Sequence, residues 1–286
     1  MTDNDARPVP QEGPDEQLAG TIQSLHERID ELHRLVVQRV EAEGGYAGDL
    51  LHLRDGAPRP RPALPAWRRR TQGELRTPVA LATAAGIALQ VAVPDRLVLV
   101  SPAWIFPAVQ GALLIAVVAS NPHRIDRDSG VLRWLSLMLA GTLSLANAWS
   151  VVRLAISLTQ GTMGQNAGQL LITGAVIWLI NVIVFGLWYW EFDRGGAVAR
   201  ALNSGNRFPD FQFPQMVSPP AMVPADWEPA FLDYLYLAFT NATAFSPTDV
   251  MPLSRWAKVA MTVQSAISLV TAALVISRAV NIFPSG

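Results

Sequence analysis

From residue 77 onward the chain alternates long apolar runs with short polar turns, whereas the first 76 residues show no such pattern. Apolar runs extend from about Pro78 to Val93, Pro102 to Ser120, Val131 to Leu158, Gln169 to Trp190 and Leu253 to Phe283. About 20 apolar residues are needed to cross a hydrocarbon core as a helix. The third run is long enough to span with tilt, and the first is short for a span. A further stretch, Trp227 to Thr243, reads as a helix too short for a comfortable crossing. The predicted fold is all-α: a helical integral membrane protein with about five transmembrane helices and one re-entrant helical hairpin. Four regions follow: an arm at 1–76, four transmembrane helices at 77–190, a proline-rich connection at 191–225, and the hairpin with a final helix at 226–286.

Within the arm, residues 1–17 are acidic and proline-bearing and read as disordered. A heptad pattern then predicts a helix over 18–40. Leu18, Leu25 and Leu32 share one position, and Ile22, Ile29 and Val36 share the other. This spacing makes an apolar seam for a short coiled coil or an amphipathic docking helix. Arg39 interrupts the next seam position. His26 and His33 share a flanking column and read as solvated. A glycine- and proline-rich linker follows and merges into a basic stretch, 54–76.

Charge sharpens the membrane assignment. Residues 1–76 carry 24 ionisable side chains, counting Arg, Asp and Glu, whereas the 210 residues that follow carry only 21. A water-facing surface needs about a quarter charged residues, so the second part has lipid as its solvent. Seven arginines between Arg54 and Arg76 precede the first apolar run. Such clusters mark the cytoplasmic side and attract anionic headgroups. The turns alternate accordingly: Arg96 alone in the first, Arg124, Arg127 and Arg133 at the second, none in the third, and Arg194, Arg200 and Arg207 in the connection. This predicts a multi-pass plasma-membrane protein with its N-terminus, second turn and 191–225 connection inside. No basic, apolar leader is evident at the N-terminus.

The chemistry-bearing motifs of enzymes are missing from the sequence. There is no cysteine, no phosphate-binding Gly-Lys-Ser or Gly-Lys-Thr, no His-Glu-x-x-His and no Gly-x-Ser-x-Gly; all four histidines precede residue 124. No enzyme activity, metal or cofactor is expected, and a net charge of −1 gives no field for nucleic acid. The aromatic triplet Trp188-Tyr189-Trp190 is expected at the membrane interface. Asn147 and Asn181, near the middles of two apolar runs, are expected to hydrogen-bond across helices. Arg153, near the end of a run, is expected to snorkel.

The segment after the connection carries a functional signal. Asp226 is a candidate cap, Pro229 is placed in the first helical turn, and the helix is stopped before Pro247. Pro252 then opens a long apolar helix. This order of short helix, polar turn and long helix, from Asp233 to Val280, resembles the pore helix, filter and inner helix of tetrameric potassium channels. On that resemblance Tyr234-Leu235-Tyr236 to Thr243 falls on the pore helix. Ala244-Phe245-Ser246-Pro247-Thr248 falls on the filter, Asp249 on the aspartate after it, and Pro252, Trp256 and Lys258 on the following Pro, Trp and basic residue. A wider resemblance, from about Leu81 onward, is to an uncharacterised bacterial family of multi-spanning membrane proteins, through Phe213-Pro214, Leu232-Asp233-Tyr234-Leu235-Tyr236 and Thr240 to Asp249. It implies no assigned activity.

The filter is degenerate. Ser246, Pro247 and Thr248 stand where Gly-Tyr-Gly would; proline fixes φ near −65° and threonine resists positive φ. Stacked carbonyls that select potassium are therefore not expected. The arginine alternation also places the hairpin on the cytoplasmic side, inverted relative to potassium channels and in the sense of glutamate-receptor pores; a full sixth span at 227–245 is the alternative. The expected function is weakly selective passage of monovalent cations through a homo-oligomer, tetrameric on the resemblance, in the lipid bilayer. The other reading is a non-conducting scaffold or sensor whose arm binds a partner. Candidate pore residues are Thr243 to Asp249, with Asp233, Thr240 and Asn241 on the helix. Asp249 either rings the pore mouth or caps the last helix, and Asp233 either pairs with a base or sits at the interface.

Overall fold

The computed structural model describes residues 23–36, 64–121, 124–125, 129–162, 166–205, 208–243 and 249–282. The chain divides into two compact units, Met1–Ala63 and Leu64–Gly286. In the first, residues 23–36 form helix α1, and Leu25, Ile29, Leu32 and Val36 are exposed along it. Leu18 and Ile22, the start of the expected seam, lie outside the described residues.

The second unit is helical. Its elements are α2 (Arg76–Val91), α3 (Ile105–Ser120), α4 (Gly130–Thr159), α5 (Ala167–Phe192), α6 (Ala197–Leu202), α7 (Phe231–Thr243) and α8 (Arg255–Ile282). Among the described residues three helices, α4, α5 and α8, are long and apolar enough to cross a membrane. α2 and α3 have 16 residues each, a rise of about 24 Å. Residues 64–76, read from the sequence as the end of the arm, belong to this unit, and Trp67 and Arg76 are buried in it.

α5 is central: 67% of its most apolar stretch is buried, against 33% for α4 and 28% for α8. It packs on α2, α4, α7 and α8, while α3 packs on α2 and α4. Small residues let backbones approach closely, as helix association in lipid requires. A Cβ on Gly174 would stand 2.7 Å from Val275, and one on Gly186 would stand 3.3 Å from the Leu235 Cα. The cross-helix bond expected of the two asparagines forms: Asn147 Nδ2 donates to Asn181 Oδ1 at 3.3 Å, and Asn181 Nδ2 to Ser268 Oγ at 3.1 Å. Arg153 Nε reaches the Arg96 carbonyl at 3.4 Å.

Local chemistry sets the helix ends. Asn166 caps α5 by accepting from the Gln169 amide, and Ser254 Oγ caps α8 by accepting from Ala257 at 3.3 Å. α8 therefore begins past Pro252, which instead lies in a two-stranded antiparallel pair, β1 (Phe211–Gln212) with β2 (Met251–Pro252), in the register Phe211 to Pro252. α7 begins at Phe231, later than expected, so Pro229 precedes it rather than filling its first turn. The aromatic triplet also departs from expectation. Tyr189 and Trp190 are buried in the protein rather than turned to headgroups, and Trp188 Nε1 bonds Ser144 Oγ at 2.7 Å.

Gly186→Val should wedge α7 from α5 and cost about 1–3 kcal/mol of stability. Gly141→Val, whose Cβ meets no atom within 4 Å, should leave stability unchanged. Thermal unfolding of the two variants in detergent checks the contrast.

Candidate functional site

The described part of the predicted pore segment builds two polar clusters, one along α7 and one at its base. Along α7, Asn241 turns inward. Its Nδ2 donates to Gln264 Oε1 at 2.7 Å and to the Met261 carbonyl at 3.0 Å, while Ser265 Oγ donates to Asn241 Oδ1 at 3.0 Å. Tyr189 OH donates to Gln264 Oε1 at 2.6 Å, and Gln264 Nε2 donates to the Ala238 carbonyl at 2.7 Å. Gln264 is fully buried, so α8 carries an amide into the core with each end partnered by α5 or α7. Thr240 and Thr243 bond carbonyls of their own helix. Asp233 behaves as a helix-start residue, its Oδ2 accepting from the Ala230 amide at 2.8 Å. Asp249 is exposed and lies well before α8, whose cap is Ser254, so the capping alternative for Asp249 is set aside. Ala244, Phe245, Ser246, Pro247 and Thr248 lie outside the described residues.

At the base of α7 the side chains are charged and buried. Asp193, just past α5, is fully buried; its Oδ2 accepts from Tyr234 OH at 2.5 Å and its Oδ1 from the Asp210 amide at 2.8 Å. Asp210 in turn accepts from Trp256 Nε1 at 2.8 Å on one oxygen and from the Arg194 amide at 3.0 Å on the other, and its carbonyl accepts from Leu253 at 2.8 Å. Arg200 lies over the Tyr234 ring, and its guanidinium donates to the Trp190 and Asp193 carbonyls at 2.6 and 3.0 Å. It also meets Glu74 Oε1 at 3.5 Å. Glu74 accepts from Trp190 Nε1 and, at 2.7 Å, from the Phe231 amide. Burial pushes the Glu74 carboxyl above its ordinary value, and Arg200, Trp190 and Phe231 pull it part of the way back. Arg194 donates to the Trp67 carbonyl at 2.5 Å and to Asn203 Oδ1 at 2.9 Å.

A tight turn makes this cluster possible. Arg194 takes φ 53°, a left-handed conformation that costs about 1–3 kcal/mol in a non-glycine residue. Gly205 lies so close that a Cβ there would stand 1.7 Å from the Arg194 carbonyl oxygen. Only glycine fits that position.

The geometry has a directional consequence. Tyr234, in the first turn of α7, and Trp256, in the first turn of α8, bond the two linked aspartates Asp193 and Asp210. Further along, Ala238 meets Gln264, and Asn241 meets Met261 and Ser265. α7 and α8 thus start at one level and run side by side in one direction, antiparallel to α5.

Sequence reasoning missed Glu74, Asp193, Asp210 and Gln264, and used Arg194 and Arg200 only as topology charges. Gln264 carries the same signal as the two asparagines, a polar residue inside an apolar helix. Chemically, the carboxylates of the base are occupied by N–H and O–H donors. Among the described residues no group of three or more His, Asp or Glu converges as a metal site. No protein-family model, curated protein or solved structure matches the chain.

Tyr234→Phe should cost about 1.5–3 kcal/mol, the worth of a hydrogen bond to a charged group. Arg200→Met, which leaves buried carboxylates without their cation, should cost about 3–5 kcal/mol. Tyr236→Phe, on the exposed face of α7, should be neutral. Unfolding midpoints in detergent should fall furthest for Arg200→Met, less for Tyr234→Phe and not at all for Tyr236→Phe.

Proposed function

We propose that the protein is a channel-like, homo-oligomeric membrane protein of about five spanning helices, with 226–252 as a re-entrant hairpin that enters and leaves on one side. The shared mooring of Tyr234 and Trp256 on the Asp193–Asp210 pair carries this reading, because a crossing segment would separate its two ends by the membrane. The length of α7 supports it too: 13 residues rise about 20 Å, well short of a 30 Å core. α2 and α3 complete the count of five as short spans whose flanks adapt to the mismatch. The seam residues Leu25, Ile29, Leu32 and Val36, exposed on α1, are available for assembly. The protein sits in the plasma membrane with its N-terminus cytoplasmic.

In this reading the loop from Thr243 to Asp249 lines the pore, and the exposed Asp249 carboxylate attracts cations. Monovalent cations pass with weak selectivity, because Ser246, Pro247 and Thr248 cannot build a glycine-type carbonyl ladder. One observation favours the alternative, a non-conducting scaffold or sensor with a partner-binding arm: Asn241, the candidate amide of the pore helix, is spent within its own protomer.

The naturally cysteine-free chain permits a direct test. Single cysteines at Ser246 and Thr248 should react with an impermeant thiol reagent only from the side bearing the N-terminal arm; reaction only from the opposite side refutes the hairpin. In planar bilayers the purified oligomer should pass potassium and sodium alike, and Asp249→Asn should lower its preference for cations over chloride. Silence at every voltage, with a monomer or dimer in a native-like bilayer, would establish the scaffold.

A further inference from the structure

A second feature lies on the other flank of α5, away from the hairpin. The starts of α2 and α4 meet the ends of α3 and α5 at one end of the helical unit, around a cavity of about 270 Å³. Arg76, Arg133, Asn121 and Glu191 line it. Arg76 is only 6% exposed, yet its Nε has no hydrogen-bond partner among the described residues, and Asn121, 5% exposed, has the same deficit at Nδ2. Buried donors without acceptors are rare because each costs about 1–3 kcal/mol. Two such donors at one cavity mark a place for an acceptor that the described residues do not supply. Glu191 faces the same space and balances one arginine, leaving a net positive charge among the described lining residues.

The cavity adjoins an apolar groove between α2, α3, α4 and α5. Arg76, Ser136, Trp190 and Glu191 border both spaces. Beyond them the groove is walled by Val79, Leu114, Val117, Leu139 and Leu187, and it encloses about 40 Å³, narrow enough for part of one hydrocarbon chain. All five residues lie within about three turns of the helix ends that line the cavity. Polarity therefore falls from guanidinium to aliphatic wall along the helices, the gradient a phospholipid presents from headgroup to acyl chain. A free anion would use the mouth and leave the groove empty.

We propose that this cavity and groove form a site for one phospholipid with an anionic headgroup. The phosphate accepts from Arg76 and Asn121, Arg133 adds charge at the rim, and the upper part of one acyl chain lies along Leu114 and Leu139. The site is independent of whether the hairpin conducts.

Native mass spectrometry of the full chain, delipidated in detergent, tests this with phosphatidylglycerol, phosphatidylcholine of the same chains, and inorganic phosphate as separate probes. One phosphatidylglycerol per chain should be retained in preference to phosphatidylcholine. Arg76→Gln and Arg133→Gln should each lower that retention about fivefold, and Leu114→Trp, which fills the groove, should lower it without touching the arginines. Arg133 is exposed, so its replacement keeps the test valid if Arg76→Gln fails to fold as judged by circular dichroism. Equal retention of the two lipids, or unchanged retention in Arg133→Gln, overturns the proposal. Full displacement of phosphatidylglycerol by inorganic phosphate would overturn it in favour of a soluble anion.

Discussion

A carboxylate taken out of water must be matched donor for donor by the protein, since the desolvation it suffers is worth several kcal/mol. Asp193 meets that demand from two directions in the chain: a tyrosine hydroxyl from α7 and an amide from the connection, while its own carbonyl takes a bond from Arg200. Each partner belongs to a different element, so satisfying one buried charge fixes the end of α5, the turn into α6, the strand pair and the start of α7. Asp210 extends the same obligation to α8 through Trp256. The left-handed Arg194 and the bare Gly205 are what bring these groups within reach of one another. Most of the unit's polar geometry follows from that single requirement.

The helices of the lipid-facing part were largely legible, because a run of apolar residues has few alternatives in a membrane. α4, α5 and α8 fall close to where the hydrophobic pattern ends, and the Asn147–Asn181 bond follows from having two amides at matching depth. What the pattern could not carry was the role of groups whose meaning depends on a distant partner. Arg200 reads as a topology charge until Glu74, 126 positions away in sequence, is beside it. Trp190 reads as an interface anchor until its N–H finds the same carboxylate. Pro252 reads as a helix opener, yet its missing N–H suits a strand end against Phe211, and Ser254 is left to cap the helix. Of the described candidate pore residues, only Asn241 lands in a network joining several helices, through Gln264, Ser265 and the Met261 carbonyl.

Inside the bundle the polar groups divide into two sets of different consequence. Those of Tyr189, Gln264 and Asn241 bind α5, α7 and α8 into one block. Those of Asn147, Asn181 and Ser268 tie α4 to the same block at greater depth. Lipid offers no hydrophobic drive between helices, so such bonds and the close contacts at Gly174 and Gly186 supply specificity that apolar surface cannot. α2 and α3 stand outside this bonding and meet the block mainly through apolar contacts. The groove that receives the anionic lipid runs along that seam, where the fold is least tied together by polar groups.

The side-by-side course of α7 and α8 has an electrical meaning as well. Aligned peptide dipoles give a helix about half a negative charge at its C-terminus. α7 begins among the buried aspartates and ends at Thr243, so in the proposed topology its negative pole is aimed toward the middle of the bilayer. In an oligomer, several such poles would converge on one low-dielectric region. The backbone alone would then form an attractive well for a cation there, before any side chain of the loop contributes.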